Sequence, residues 1–520
     1  MSDRPERTAK SGLAPESASD VRTVARGGAV QILGQVSQRS LTFLFTVVAA
    51  RVLGTAGYGL YRQVSQVLAV AGQLGLAGFN YAAMRWIARA RAADDHGGVL
   101  GAARVGLAGA GAASALVCAL LLALAGALAR GFADCPAGGG CGEARSAFAE
   151  LVRVGAAYVP LFALLQVLRY CTQGYKTMLP SVIAGNVVQP TVRLGLGVAA
   201  FALGWGVEGA VATLTASVVV ALVVAAWWFN RMLTPAQRAA PPRAPAAAMV
   251  RFALPQGGSS LLGVQVLGIG ILVLGALADD QSVGRFAIAL SLQGPGTVFL
   301  GGIVNIWAPV VADLHERGDL RRLESLYQTI NRWIATFSFP VFAVLIVEPD
   351  PFVAMFDAPG AAPVVAALAV GNLFYTGTGP TGYVISMTGR PGVNLANSIV
   401  SVALYVALGI WAVPRYGVLG MAWVDAFVTA LVNSARVVEA KLLVGVQPFG
   451  RTFYKPVVAT LAGAAVLLAW RLLPGEGLAL DVAGIAVAAA AYVGALALLG
   501  LDDEEREVLD ALKRKVRRAR

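Results

Sequence analysis

The chain has 520 residues, and its composition is far from that of a soluble protein. Hydrophobic residues make up 57% of it and charged residues 13%, against about 45–50% and about 25% in soluble domains. This excludes a soluble globular enzyme and predicts an integral membrane protein. A net charge of +12 would indicate nucleic acid as the partner of a soluble protein. In a membrane protein the position of each charge matters more than the sum, so nucleic acid is not an expected partner.

Apolar windows of about 20 residues, separated by charged or glycine- and proline-rich breaks, predict transmembrane helices along the whole chain. The expected fold class is all-α, a polytopic membrane protein with about fourteen spans. The predicted spans are 27–50, 58–83, 99–131, 150–171, 180–203, 206–230, 252–278, 284–310, 324–347, 361–386, 393–413, 418–440, 456–473 and 481–500. The first window follows a polar start and carries several glutamines, so we expect it to stay in the mature protein and not to be cleaved as a signal peptide.

The lysines and arginines between the spans predict the orientation in the membrane. With both termini inside, 27 of them lie in inner segments and six in outer loops. Positive charge is retained on the cytoplasmic side. The sequence therefore predicts a multi-pass protein of the cytoplasmic membrane with both termini cytoplasmic. The basic tail that ends at Arg520 fits an anionic inner leaflet, although a solvated tail explains it equally well.

The sequence also contains an internal repeat, which is typical of transporters built from duplicated bundles. A first register of self-alignment pairs Thr177 with Thr388, Pro180 with Pro391, Val182 with Val393, Asn186 with Asn397, Gly206 with Gly417, Val207 with Val418 and Gly209 with Gly420. A second register, with a larger offset, pairs Gln31 with Gln256, Gly59 with Gly284 and Tyr61 with Phe286. Because each half holds an even number of spans, the halves run in the same direction, related by a pseudo-two-fold axis along the membrane normal.

The spans and the repeat together predict the domain organisation. We expect two pseudo-symmetric lobes of six transmembrane helices each, joined by a linker and followed by a C-terminal hairpin. The predicted regions are a cytoplasmic N-terminal segment at 1–26, the N-lobe at 27–233, a cytoplasmic linker at 234–250, the C-lobe at 251–440, the extra hairpin at 441–500 and an amphipathic cytoplasmic tail at 501–520.

Sequence signatures of catalysis, metal binding and cofactor binding are absent. The chain has no HExxH, P-loop or GxSxG motif, so we expect neither an enzyme nor a bound metal or cofactor. Of the four cysteines, Cys118 and Cys171 fall in predicted spans, while Cys135 and Cys141 flank a glycine-rich outer loop. The outer pair is predicted either to form a disulfide or to remain as two free thiols, since its spacing has no specific signature.

Polar residues form stripes on four of the predicted spans. Because a polar side chain in hydrocarbon is costly, a shared helix face indicates a partner or water. The stripes are Gln31, Gln35, Gln38, Arg39, Thr42 and Thr46 on the first span, Arg62, Gln66, Gln73 and Asn80 on the second, Asn186, Gln189, Arg193 and Gly197 on the fifth, and Asn394, Asn397, Ser398, Ser401 and Tyr405 on the eleventh. They predict a water-accessible cavity between the lobes or, alternatively, interhelical hydrogen bonds inside a packed bundle.

The charged residues within the spans indicate the charge of the substrate. Arg39 and Arg193 lie near the middle of their spans, where snorkelling to the interface is hardest, and Arg332 is a weaker candidate of the same kind. Arginines nearer to an interface, which we expect to snorkel, are Arg62, Arg153, Arg169 and Arg436. Asp425 is a carboxylate within hydrocarbon and a candidate for ion coupling. A cavity richer in guanidinium than in carboxylate predicts an anionic substrate.

One segment of the first hairpin resembles a known family. Residues 50–61, ARVLGTAGYGLY, resemble the ARxLGxxxYGxY junction of the polysaccharide-transporter (Wzx-like oligosaccharide flippase) family, within the multidrug/oligosaccharidyl-lipid/polysaccharide exporter superfamily. Residues 416–422 and 443–449 resemble further segments of that family, and the resemblance extends over about 30–450. It implies translocation of a polyprenyl-pyrophosphate-linked oligosaccharide from the inner to the outer leaflet by alternating access, for cell-surface polysaccharide biosynthesis.

The polar stripes and the arginines within the spans, taken with this substrate class, lead to a hypothesis for the cavity residues. Arg39 and Arg193 would contact the pyrophosphate, with Arg332 as a further basic residue of the cavity. The residues expected to contact sugars or support the arginines are Gln31, Gln35, Gln66, Asn186 and Asn397. Expected partners are the anionic lipid-linked oligosaccharide and membrane lipids, together with a glycan polymerase and glycosyltransferases as candidates.

Three alternatives remain open at this stage. A cation-coupled multidrug exporter of the same fold would depend on intramembrane carboxylates, and Asp425 is the main one available. A lipid II flippase has a similar number of spans, but the first hairpin matches the polysaccharide family better. A non-transporting membrane scaffold of a glycan assembly complex would need no cavity, so the repeat and the polar stripes favour transport.

Overall fold

The computed structural model describes residues 15–134, 140–261, 268–475 and 477–500, and the regular elements among them are helices. In the first half they are α1 (Pro15–Leu76), α2 (Phe79–Ala92), α3 (His96–Phe132), α4 (Cys141–Gly155), α5 (Tyr158–Gln173), α6 (Leu179–Val182), a π-helix (Ile183–Val188), α7 (Gln189–Ala202), α8 (Gly206–Met232) and α9 (Pro235–Ala239). In the second half they are α10 (Ala246–Leu261), α11 (Ile269–Leu277), α12 (Asp280–Leu292), α13 (Gly294–Glu316), α14 (Leu320–Val347), α15 (Asp350–Ala354), α16 (Ala362–Thr378), α17 (Thr381–Met387), α18 (Pro391–Glu439), a second π-helix (Ala440–Val444), α19 (Tyr454–Trp470) and α20 (Leu478–Leu499). The predicted tail at 501–520 lies outside the described residues.

The lengths of the helices confirm a polytopic membrane protein. Eight helices among the described residues are long and apolar enough to span a membrane, and a pair formed by α12 and the start of α13, bent by 53°, makes a ninth candidate. Two of the eight contain 47 and 53 residues, enough for two crossings of a hydrocarbon core about 30 Å thick at about 1.5 Å per residue. Non-helical glycines, Gly54 and Gly417, break these two helices. The exact count of fourteen spans stays a prediction.

Two glycines that the first register of the sequence repeat pairs have the same backbone conformation. Gly206 at the start of α8 has φ 58°, and its equivalent Gly417 at the break in α18 has φ 59°. Glycine adopts this left-handed conformation without the Cβ clash that other residues meet. Gly209 and Gly420 follow three positions later, and each leaves room for the side chain of an aromatic residue one turn earlier. The repeat in sequence is therefore also a repeat in local structure.

The two halves of the chain meet where α1 crosses α12. A Cβ added at Gly59 would overlap the carbonyl oxygen of Asp280, and a Cβ added at Gly284 would overlap the carbonyl oxygen of Thr55. The second register of the repeat relates Thr55 to Asp280 and Gly59 to Gly284, so the two contacts are reciprocal, as across a two-fold axis. Small residues allow this close approach of two helix backbones.

The second span is shorter in the structure than the hydropathy window at 58–83 predicts. The helix α1 ends at Leu76 because Ala77 and Gly78 adopt positive φ values of 46° and 78°. The chain then forms the separate helix α2, whose first turn packs on the backbone of α10. Asn80, which the sequence assigned to the polar stripe of the second span, lies instead on α2 and is buried.

The last two described helices attach to α14. The hydroxyl of Tyr492 on α20 donates a hydrogen bond of 2.6 Å to the carbonyl oxygen of Thr336 on α14. Arg471, which follows α19, forms an ion pair with Glu348 just beyond the end of α14, with 3.2 Å between Nε and Oε2. These contacts connect α19 and α20 to α14 at two levels.

Candidate functional site

The polar face of α1 meets α13 from the other half of the chain. Nη1 of Arg39 donates hydrogen bonds to the carbonyl oxygen of Gly294 and to Oγ1 of Thr297, each 3.2 Å long. Gly301, about two turns further along α13, lies beside the ends of Arg39 and Gln35. Arg39 is nevertheless exposed, and a guanidinium has five N–H donors. It can therefore bind a further group in the space between the halves.

Arg193 on α7 packs against a different face of α1, inside the first half of the chain. Its guanidinium carbon is 4.3 Å from the ring centre of Phe45 and 5.5 Å from that of Tyr61. Aromatic rings attract a cation through their quadrupole without neutralising its charge. The Nε atom of Arg193 is buried without a hydrogen-bond partner. No carboxylate pairs with this side chain in the part of the chain that the structure describes.

A third arginine, Arg169, is part of the same half and was not selected from the sequence. Its guanidinium donates to the carbonyl oxygen of Ser181 at 3.1 Å, to Oε1 of Gln166 at 3.0 Å and to Oδ1 of Asn186 at 2.7 Å. A Cβ at Gly185 would overlap the guanidinium, so the π-helix that contains Gly185 and Asn186 makes room for it. The expectation that Arg169 snorkels to the interface is wrong, because polar partners on the next helix hold it inside.

The repeat-related asparagines bind groups of opposite charge. Asn186 accepts a hydrogen bond from Arg169, whereas Asn397 on α18 donates one of 2.6 Å to Oε2 of Glu439. Asn397 is the equivalent of Asn186 in the first register of the repeat. The first half therefore places a cation at this position, and the second half places a carboxylate there.

The carboxylate of Asp425 has a partner within α18 itself. The hydroxyl of Tyr405 donates a hydrogen bond of 2.6 Å to Oδ1 of Asp425, and Oγ1 of Thr429 lies 3.4 Å from the same hydroxyl. Tyr405 and Asp425 lie on either side of the break at Gly417. This hydrogen bond therefore joins the two parts of α18.

The remaining predicted cavity residues have separate surroundings. Arg332 on α14 is only 6% exposed, and its Nη1 donates to Oγ1 of Thr452, in the segment before α19. Gln66 on α1 packs against Gly268, where an added Cβ would overlap the side-chain amide. Gln31 is half-buried on α1. In this conformation, then, the predicted residues do not converge on one shared contact.

The cysteines of the chain fall into two groups. Cys141 at the start of α4 is disulfide-bonded, while Cys118 and Cys171 are free. Cys135, the predicted partner of Cys141, lies outside the described residues, so the pairing stays a prediction. Within residues 15–134, 140–261, 268–475 and 477–500, no group of three or more histidine, cysteine, aspartate or glutamate side chains could hold a metal ion.

Known proteins share this sequence pattern and fold. Residues 24–315 match the family model described as polysaccharide biosynthesis protein. The structure is similar to the lipid II flippase MurJ in an inward closed conformation, with a TM-score of 0.71 and 11% identity over 90% of this chain and 98% of that one. It is also similar to an inward-facing multidrug resistance MATE family transporter of the MOP superfamily, with a TM-score of 0.62 and 17% identity over 80% of this chain and 98% of that one.

A third similar structure is a MOP superfamily transporter from Pyrococcus furiosus Vc1 (DSM3638), with a TM-score of 0.55 and 18% identity over 82% of this chain and 96% of that one. No curated protein matches the chain. At these identities the solved structures establish the fold alone, which is similar to that of MurJ and of the MATE transporters. These structural neighbours are a lipid II flippase and transporters.

Proposed function

This chain belongs to the polysaccharide biosynthesis protein family, and we propose that it translocates a polyprenyl-pyrophosphate-linked oligosaccharide across the cytoplasmic membrane. The substrate would move from the inner to the outer leaflet for cell-surface polysaccharide synthesis. Rocking of the two halves about their contact at α1 and α12 would expose the space between them to each side in turn. In this proposal both termini are cytoplasmic, the lobes are 27–233 and 251–440, and the regions 234–250 and 441–500 are the linker and the extra hairpin.

The observation that carries this proposal is the guanidinium charge held within the helices of the first half. Arg39 and Arg193 have only neutral partners in the described structure, a carbonyl and a hydroxyl for one and aromatic rings for the other. The third, Arg169, is likewise bonded to neutral oxygens. Arg193 and Arg169 are partly buried, and burying a cation without a counter-ion is costly. Arg39 is exposed, so an anion in the space between the halves can reach it directly. An anionic substrate would supply the counter-ion for these side chains during transport.

Pyrophosphate is a suitable anion for these arginines, because it has several phosphoryl oxygens and more than one negative charge. A guanidinium binds phosphate oxygens bidentately through parallel N–H donors. We assign Arg39 and Arg193 to the pyrophosphate, and Asn186 to the positioning of Arg169. The side chains assigned to sugar contacts or to support of the arginines are Gln31, Gln35, Gln66 and Asn397. Arg332 stays outside this assignment because it is bonded to the segment before α19.

The membrane potential alone would favour export of such a substrate. Moving one charge across 100 mV changes the free energy by about 2.3 kcal/mol, so two negative charges moving out of an inside-negative cell gain about 4.6 kcal/mol. No nucleotide-hydrolysing motif is present in the sequence. Because the potential itself favours export, the chain needs no nucleotide-hydrolysing site to drive it.

We test the proposed function by reconstitution. The purified full chain is inserted into sealed liposomes that contain polyprenyl-pyrophosphate-linked oligosaccharide extracted from the producing cell, and external periodate then oxidises the glycans it can reach. We expect the protein to make the lumenal pool of glycan accessible over time, since flipping brings it to the outer leaflet. An accessible share equal to that of protein-free liposomes would refute the flippase and favour the scaffold.

A second candidate is the cation-coupled exporter. It is supported by the hydrogen bond between Tyr405 and Asp425, because a carboxylate beside the break in α18 could couple the binding of a proton or sodium ion to motion of that helix.

We expect Asp425→Asn to keep glycan flipping driven by a potassium diffusion potential within about twofold, since the potential acts on the charges of the substrate. The matched control is Ser401→Ala, on the same helix. Loss of potential-driven flux in Asp425→Asn alone would instead favour cation coupling.

A further inference from the structure

A basic cleft lies between α2, the end of α5 and α10, on the side predicted to face the cytoplasm. It consists of two adjoining cavities, of about 550 Å³ and about 700 Å³, that share Arg85 and Phe252 in their walls. Arg89 and Lys176 line the first cavity, and Arg251 lines the second. The cleft adjoins the place where the first turn of α2 packs on α10, so it lies at a junction between the two halves of the chain.

Among the described residues, the cations of the cleft have no acidic partners. The walls of both cavities contain no aspartate or glutamate in that part of the chain. The side chains of Arg85, Arg89, Lys176 and Arg251 form no ion pair there either. Arg85, Arg89 and Lys176 are exposed. An anion entering the first cavity would thus meet three cationic side chains whose charge is not neutralised by the described protein.

Two aromatic rings pack against the guanidinium of Arg85, the arginine that lines both cavities. The guanidinium carbon of Arg85 is 4.6 Å from the ring centre of Phe252 and 5.4 Å from that of Trp86, and the two rings pack edge to face. Tryptophan together with lysine and arginine is typical of the level of lipid headgroups. The cleft therefore combines a pre-oriented guanidinium with surroundings suited to the membrane interface.

The backbone at Lys176 supports a functional interpretation. Lys176 has φ 58°, a left-handed conformation that is unfavourable for a residue with a side chain and that recurs at binding sites. The neighbouring Gln173 donates a hydrogen bond of 2.8 Å to Oγ of Ser181, which ties the end of α5 to α6. Lys176 is thus presented from a short turn whose two flanking helices are bonded to each other.

We propose that this cleft binds the pyrophosphate group of a lipid in the inner leaflet, before that lipid enters the space between the halves. The proposal rests on the proposed function and names an entry site for its substrate, separate from Arg39 and Arg193. Guanidinium and ammonium groups are the side chains that recognise phosphate oxygens. The cleft would raise the local concentration of the substrate and orient its headgroup.

The test is equilibrium binding by native mass spectrometry of the full chain in phosphatidylcholine nanodiscs. The probes are soluble inorganic pyrophosphate, polyprenyl pyrophosphate in the disc, and phosphatidylglycerol in the disc at the same mole fraction. We expect the double variant Arg85→Gln with Arg89→Gln to weaken binding of both pyrophosphate probes at least about tenfold, since each charge-assisted hydrogen bond is worth a factor of about ten or more. The loss of phosphatidylglycerol binding should be smaller, because its phosphodiester has one negative charge and fewer phosphoryl oxygens than a pyrophosphate.

The matched control is Arg91→Gln, on the same helix, whose guanidinium lies 4.3 Å from the ring centre of Tyr175 and lines neither cavity. The control removes one positive charge and the double variant removes two. A loss of binding free energy in the control of half that in the double variant, or more, would therefore reduce the effect to net charge and overturn the proposal. Loss confined to phosphatidylglycerol, loss confined to soluble pyrophosphate, or no loss would each overturn it as well. Because binding is measured without transport, such a failure leaves the proposed flipping untouched, whereas failure of the liposome assay does not alter the binding result.

Discussion

Replacing Arg193 with glutamine is expected to reduce glycan flipping by about 10- to 100-fold in the liposome assay, because a charge-assisted hydrogen bond to a buried group contributes about 1.5–3 kcal/mol. The glutamine keeps a polar side chain between α7 and α1 but removes the cation that lies over Phe45 and Tyr61. The measurement is the rate at which external periodate gains access to lumenal lipid-linked oligosaccharide.

Two further variants separate the loss of charge from a loss of folding. Arg193→Lys keeps a cation without the planar fork, so it should give an intermediate rate. Arg153→Gln removes an exposed charge on α4 of the same half and should leave the rate unchanged. The thermal midpoint of Arg193→Gln should fall only slightly, since the cation–π contact contributes about 0.5–2 kcal/mol. Native flipping rates in a well-folded Arg193→Gln protein would remove Arg193 from the pyrophosphate site.

The second large effect is expected where α1 crosses α12. Gly59→Ala should destabilise the folded protein by about 1–3 kcal/mol, the usual cost of forcing an extra methyl group into a packed contact. The added Cβ would overlap the carbonyl oxygen of Asp280, which belongs to a helix backbone and cannot rotate away. The measurement is thermal or denaturant-induced unfolding of the purified protein in detergent, together with the spin-label distance between the two helices.

The reciprocal geometry supplies an internal check on that effect. Gly284→Ala should destabilise the protein to a similar extent, and the double variant should lose less than the sum, because the first substitution already separates the helices. Gly195→Ala on α7 is the matched control, since an added Cβ there has no atom within 4 Å. Alanine favours the helix by about 0.5–1 kcal/mol over glycine, so the control should be unchanged or more stable. Equal stabilities of the control and Gly59→Ala would refute the close contact.

The repeat illustrates how far the sequence could be taken. Identical glycines in the two registers of the self-alignment predicted a duplication, and the structure shows what these glycines do. Gly206 and Gly417 adopt matching left-handed φ values, and Gly59 and Gly284 form the reciprocal contact. A glycine in sequence does not reveal whether it is needed for its backbone angles or for a close approach, because the second depends on a distant helix.

The arginines illustrate the opposite case. Position within a hydropathy window selected Arg39 and Arg193 but assigned Arg169 to the membrane interface. The structure instead bonds Arg169 to Gln166, Ser181 and Asn186. The available signal was the presence of two polar side chains, Gln166 one turn before Arg169 and Asn186 in the next predicted span. Depth in the membrane alone cannot detect such a partner, since it measures distance from water and not hydrogen bonding between helices.

The sequence by itself determined that this protein is all-α and embedded in a membrane, and it predicted a duplication and basic residues within the spans. These properties follow from the local free energy of transferring each segment from water to hydrocarbon, which is a property of composition along the chain. The tertiary structure alone decided which polar groups meet: Asn186 with an arginine, and the repeat-related Asn397 with a glutamate. Partners in a helical bundle come from helices distant in sequence, so their identity is a consequence of packing.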